Sequence, residues 1–267
     1  ADPIVKALQE GAEIVVTGRV ADPSLTLAPL IYKLGFKDWN ALALGTLAGH
    51  LIECGCQVTG GLYSGWDNLK EKPGYPIIEI SNDNSFIITS YRGFINSEVV
   101  KEQILYEMGD PEKYFSPDVT LSLKNLKIEE KGFNRVQVSG ALGFAPTKTY
   151  KVSATYEAGF KAEGSLLFIG INGKARAKKV ADRLIESIKP QKHEIDIINE
   201  NNKTFLRIAA FDPNEAKLKK FVRAFAPFVT AGPPGTTGYT GGRSPVRPVY
   251  GYWPCLIEKE KVCASLN

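Results

Sequence analysis

The chain is 267 residues long, 43% hydrophobic and 23% charged, the proportions of an ordinary soluble globular protein. Its 33 Lys and Arg against 29 Asp and Glu leave a charge of +4, too small an excess to point to nucleic acid or an anionic membrane surface. No apolar run reaches the roughly 18 residues of a membrane span, and the length is enough to bury a core without a disulfide or metal staple.

Residues 3–10 read as a short helix and Glu13–Thr17 (EIVVT) as a strand. A Val-rich strand this early asks for sheet neighbours, so part of an α/β domain is expected upstream of residue 1, or a partner chain in its place. Asp22-Pro23-Ser24 marks a helix start, with Pro in the first turn. That helix runs to Gly35, and Asp38 caps a second helix over 39–54. Residues 57–76 hold six Gly or Pro and read as a loop. Residues 76–80 and 86–89 flank Asn82-Asp83-Asn84 as a hairpin, and Ser97 caps a helix over 98–108. Strands are expected at 119–123, 135–139 and 149–156. Then 163–169, 173–188, 193–198, 204–210, 213–228 and 246–252 give the order β-α-β-β-α-β of a ferredoxin-like arrangement, with Asp212 as the cap of its second helix. The fold class is therefore an α/β N-terminal part, incomplete and built on a parallel or mixed sheet, followed by an α+β region. The domains are 1–115, a β-rich connection over 116–157, and 158–267.

Cys54, Cys56, Cys255 and Cys263 have no zinc-site spacing and read as packing thiols of an intracellular, cytoplasmic protein. No metal site is expected.

The helix over 39–54 carries the most chemistry. Leu44, Leu47, Leu51 and Cys54 share one face, and Thr46, His50, Glu53 and Gln57 another that contains no Lys or Arg. A polar stripe on an otherwise apolar helix faces something enclosed. His50 and Glu53 are i, i+3 neighbours, so the carboxylate can orient the imidazole as a general base. A core histidine satisfied by its neighbour is the competing reading. Arg19, after the EIVVT strand, can grip a carboxylate or phosphate with its planar fork, and Asp22 is either an N-cap or an acid of the site. Thr59-Gly60-Gly61 can bring backbone amides to a ligand, although paired glycines after a helix are routine. The stretch from Thr230 to Arg243 holds five Gly and two Pro. With Gly235, Thr236, Thr237 and Arg243 it either binds an anion or packs closely against another backbone. The basic run Lys174, Arg176, Lys178, Lys179 and Arg183 reads as a solvated helix face.

Several long motifs resemble the acyclic terpene utilisation protein family. They are Gly11–Leu25 (GAEIVVTGRVADPSL), Gly45–Gly55 (GTLAGHLIECG) with Gln57–Gly61, Glu102–Glu107, Asp110-Pro111, Tyr114, Pro117–Val119, Gly232–Arg243 and Tyr252–Pro254. Where the family has a Pro- and Gly-rich stretch, this chain has Thr89–Asn96 (TSYRGFIN), which puts an identical substrate in doubt. The resemblance implies a further segment upstream and a link to branched or unsaturated acyl-CoA catabolism, with Arg19, Asp22, His50, Glu53, Thr59 and Arg243 on matching positions. The expected activity is a lyase or hydratase acting on an acyl-CoA or carboxylate, with no cofactor beyond CoA as part of the substrate. The alternative is a non-catalytic partner of an acyl-CoA carboxylase-type complex. A homo-oligomer is expected in either case.

Overall fold

The computed structural model describes residues 1–81, 83–238 and 242–262. Asn82 of the expected hairpin turn, positions 239–241 of the Gly-rich loop and Cys263 lie outside the described residues. The chain divides into two units, Ala1–Tyr150 with the tail from Leu256, and Lys151–Cys255.

The first unit opens with helices α1 (Asp2–Gln9), α2 (Ser24–Leu34) and α3 (Trp39–Glu53). Gly35 ends α2 in the left-handed conformation at φ +68°, a backbone that suits glycine. The Asp38 side chain accepts from the amides of Asn40 and Ala41 at the start of α3. Every residue from Ala43 to Leu51 is buried, so α3 is the axis of this unit. Burying Leu44, Leu47 and Leu51 stabilises it by about 1.5–3 kcal/mol each.

Around α3 lie β1 (Ile77–Ser81), β2 (Ser85–Thr89), α4 (Ser97–Leu105), β3 (Tyr114–Phe115), β4 (Thr120–Ser122), β5 (Lys127–Gly132), β6 (Arg135–Ser139) and β7 (Leu142–Phe144). They form one sheet of order β1-β2-β6-β5 and another of order β3-β4-β7. Ile80, Phe86, Val138 and Ile128 stand in one cross-strand row, and they meet α3 in a single core.

Several expectations change. All pairings in these two sheets are antiparallel, where a parallel or mixed sheet was expected. The chain returns directly from β1 to β2 and from β5 to β6, and direct return gives antiparallel neighbours. Glu13–Thr17 joins no ladder, and Ile14 and Val16 are 85% and 91% exposed. Its β-branched composition suits a strand, but no described strand runs beside it. The cap of α4 is Asn96, whose side chain accepts from the Val99 amide, and the helix stops at Leu105 rather than 108. Residues 116–157, read as a connection, supply Val119, Leu121, Val136, Val138 and Ala141 to the first core.

The two strands expected at 149–156 and 163–169 are one, β8 (Thr149–Ile169), which begins in the first unit and continues through the second. The second unit goes on through α5 (Gly173–Ile188), β9 (Lys192–Glu200), β10 (Lys203–Asp212), α6 (Glu215–Arg223), α7 (Ala226–Ala231), β11 (Thr236–Gly238) and β12 (Arg247–Glu258). Its sheet runs β11-β8-β10-β9, with β12 also paired to β8. Alternate residues Leu206, Ile208 and Ala210 of β10 are buried with Ala177, Val180, Ala181 and Leu184 of α5, at helical spacing, and with Leu218 and Phe221 of α6. Asn214, not Asp212, caps α6 by accepting from the amides of Ala216 and Lys217. Asp212 is buried and accepts instead from the Gln191 and Asn214 amides and the Lys217 ammonium.

Candidate functional site

Two glycines one turn apart on α3 set the site. A Cβ on Gly45 would sit 2.7 Å from Leu27 Cδ1, and one on Gly49 would sit 2.7 Å from both the Cα and the carbonyl oxygen of Pro23. Their missing side chains let the start of α2 lie directly on α3. Asp22, just ahead of Pro23, thereby comes within hydrogen-bonding reach of Glu53 at the end of α3. Asp22 makes no capping bond to α2, so of its two sequence readings the cap is not realised.

Glu53 is mostly buried, with its side chain 14% exposed. Burial, then the Asp22 charge and its hydrogen bond, then the charge of Glu107, push its carboxyl up to about 7. Behind it stands His50, 2% exposed. His50 Nε2 lies 3.1 Å from the Gln103 carbonyl oxygen and 3.3 Å from that of Ile104. These are carbonyls of the last turn of α4, and that of Gln103 also accepts from the Tyr106 amide. Carbonyls only accept, so Nε2 carries the hydrogen. Nδ1 then faces Glu53 Oε1 at 3.3 Å. Burial holds the imidazole below its ordinary pKa, against the two carbonyls and Glu107. A neutral His50 with a lone pair on Nδ1 matches a Glu53 that carries a proton. The Tyr114 ring lies 6.1 Å from the imidazole, centroid to centroid. Its hydroxyl pKa is raised by burial and then by the charges of Glu53, Asp22 and Glu107.

Asp22, Glu53, Cys54 and Glu107 line a cavity of about 440 Å³ together with Leu25, Thr26, Gly49 and Ile52. No basic side chain is among them. Partial burial and then the Glu53 charge raise the pKa of the Cys54 thiol, only partly offset by the Gln103 amide, so the thiol stays protonated. Among the described residues the Gln103 side-chain amide has no partner that meets hydrogen-bond geometry, and neither does Thr46 Oγ1. Glu107 occupies the left-handed region at φ +56°, a conformation that costs a non-glycine residue about 1 kcal/mol or more.

The remaining sequence candidates are placed elsewhere or otherwise engaged. Arg19 is exposed and makes no ion pair among the described residues. The Thr59 hydroxyl is directed at the carbonyls of Gly74 and Cys56, while the Gly60 and Gly61 amides donate to Gln57 and Cys56. All three serve the local turn, although Gly61 also lines a second cavity of about 480 Å³ with Gln57, Tyr63 and Tyr106. Thr236 and Thr237 pair with Phe168 and Leu167 in the sheet of the second unit. Gly235, at φ +82°, lies so close to the Ile169 carbonyl that a Cβ would collide with it. These three residues realise the close-packing reading of the Gly-rich loop. Arg243 lines a cavity of about 210 Å³ with Glu163, Phe225 and Val229.

Glu107 and Cys54 were missed as wall residues. Cys54 was assigned to the leucine face of its helix, and Glu107 lies beyond the periodic part of α4, where spacing gives no signal.

A model described as acyclic terpene utilisation family protein AtuA matches residues 1–267. The chain belongs to the acyclic terpene utilisation family. No curated protein and no solved structure matches it. In this AtuA-family chain no helix among the described residues is long and apolar enough to cross a membrane.

Proposed function

We propose that this AtuA-family chain is a cytoplasmic enzyme of branched or unsaturated acyl-CoA catabolism, a hydratase or lyase that works with the carboxyl pair Asp22 and Glu53. One observation carries the reading. A mostly buried carboxyl with a pKa of about 7 sits beside a second carboxylate, in a cavity, against a histidine lone pair. Pairs of carboxyls held at different protonation states divide acid and base work between them.

For addition of water to a conjugated thioester, Asp22 accepts a proton from water as its oxygen attacks the β-carbon. Protonated Glu53 delivers its proton to the α-carbon. Asp22 is then protonated and Glu53 ionised, and transfer through their shared hydrogen bond resets the pair. His50 is enclosed and touches no substrate. It is a positioning residue that holds Glu53 from behind, so the roles first assigned to base and orienter are exchanged. The acidic lining repels a free carboxylate, which favours the uncharged thioester as the reacting end. Arg19 remains a candidate for the anionic part of a CoA substrate. The second unit supports a ferredoxin-like reading, because its sheet order β11-β8-β10-β9 matches β-α-β-β-α-β connectivity.

The test is turnover of a branched enoyl-CoA, followed by loss of the conjugated thioester absorbance. Glu53→Gln and Asp22→Asn should each lower kcat/KM by about 10²–10⁴-fold, and the wild type should lose activity as pH rises past about 7, where Glu53 gives up its proton. Full activity in Glu53→Gln would end the assignment.

A second reading, a subunit assembling with itself or with a carboxylase-type partner, is favoured by Tyr250, Tyr252 and Trp253 of β12, which are 59%, 52% and 65% exposed. Aromatics at such positions are frequent interface anchors. Native mass spectrometry of wild type against Tyr252→Ser/Trp253→Ser distinguishes it, since an unchanged oligomeric state removes the support.

A further inference from the structure

The sheet of the second unit has one face covered by α5 and α6 and one face turned outward. On that outer face Phe211 stands between Lys161 of β8 and Lys192 of β9, its direct cross-strand neighbours. In the next row Ala209 stands between Glu163 and Glu194. Ser244, Pro245 and Arg247 close over these rows, leaving a cavity of about 510 Å³. That volume is within the roughly 300–1,000 Å³ of small-molecule sites.

The charges divide unequally. Arg207 is spent on Glu163 and Asp196, both at 2.7 Å. Lys161, Lys192, Arg247 and Glu194 are exposed and enter no ion pair among the described residues. The cavity therefore presents three uncommitted cations, one uncommitted acid and a half-buried aromatic ring on a floor kept low by Ala209.

We propose that this cavity binds a nucleoside diphosphate group. The diphosphate would lie along the Lys161, Lys192 and Arg247 cations, the base against the Phe211 ring, and the ribose hydroxyls would donate to Glu194. Each part answers one feature. Point-charge lysines suit phosphate, aromatic faces accept any base, and a carboxylate accepts from a ribose diol. All the residues belong to the second unit, so the assignment stands or falls apart from the Asp22–Glu53 reading. The base, the diphosphate and a ribose hydroxyl occur both in a free nucleotide and in the nucleotide end of CoA, where a 3′-phosphate replaces the second hydroxyl.

Calorimetric titration of the whole chain with ADP, CoA, dephospho-CoA and pyrophosphate tests it. ADP should bind more tightly than pyrophosphate, and Phe211→Ala should weaken ADP by about tenfold while leaving pyrophosphate unchanged. Lys161→Ala/Lys192→Ala should weaken ADP and CoA together, with an unchanged melting midpoint because both lysines are exposed. CoA binding more tightly than dephospho-CoA and ADP would assign the site to the nucleotide end of CoA, whereas equal affinities would assign it to free nucleotide. The proposal is overturned if pyrophosphate binds as tightly as ADP, if the lysine variant binds like wild type, or if none of the four binds at millimolar concentration.

Discussion

At Glu53, burial and the neighbouring charges of Asp22 and Glu107 act in the same direction. Its pKa is raised in the folded chain, from 4.5 to about 7. A carboxyl raised in this way adds stability below its unfolded pKa, and that contribution is lost as pH rises through the folded value. At pH 8 the wild type thus holds a charge that burial and the charges of Asp22 and Glu107 oppose. Glu53→Gln should be the more stable protein there by on the order of 1–3 kcal/mol, and should show little gain at pH 4.5. Urea unfolding at the two pH values measures this, and a Gln variant less stable at pH 8 would contradict it. A carboxyl held at a cost to stability is what the proposed acid role of Glu53 would require. His50 was legible in the sequence as Glu53's neighbour. Its role was not, because the carbonyls of Gln103 and Ile104 that fix its tautomer come from a helix fifty residues away in sequence.

At the scale of elements, the α2–α3 crossing decides whether the acids meet. A methyl group on Gly49 would press on the Pro23 backbone, whereas one on Gly45 would press on the tip of the Leu27 side chain. Backbone cannot step aside as a side-chain end can. Gly49→Ala should cost about 1–3 kcal/mol and bring the Glu53 pKa down by displacing Asp22. Gly45→Ala should cost less and leave that pKa in place. Thermal melts with NMR titration of the Glu53 carboxyl separate the two, and equal effects would refute the packing account. The cap of α4 offers a smaller contrast. Asn96→Ala should lose about 1 kcal/mol and Ser97→Ala close to none, since only Asn96 bonds the free Val99 amide. Both residue types are good caps, and the sequence placed the cap one residue late. Which of the two takes the extended backbone of the cap, φ −136° at Asn96, is settled by how the chain enters α4 from the β2 side, where Ile95 is already buried in the core.

For the whole molecule, the pH dependence of stability sums groups of opposite sign. The Glu53 contribution fades as pH rises between about 4.5 and 7. His50, held below 6.5, contributes stability above that value that is lost as pH falls. Asp212 has the same sign further into acid. Its burial would raise its pKa, but Lys217 and the amides of Asn214 and Gln191 outweigh that and lower it below 3.8. Asp212→Asn should therefore cost about 1.5–3 kcal/mol near neutral pH, a deficit that should shrink as strong acid protonates the carboxylate, as read from melting curves over the range. A constant deficit at every pH would refute the charged role. The sequence by itself determined most helices and hairpins, the αβ composition, the family and the polar stripe of α3, because periodicity, capping and turn chemistry act within a few residues. It misread Glu13–Thr17, whose composition fits a strand while pairing requires a neighbour. It missed β5 and β7, one too charged and the other too short to carry an alternating signal. The tertiary structure alone decided that Asp22 and Glu53 line one cavity, that Glu107 joins them there and that the Gly235–Thr237 loop is spent on β8. Those facts depend on distances between segments, and no local pattern encodes a distance across the fold.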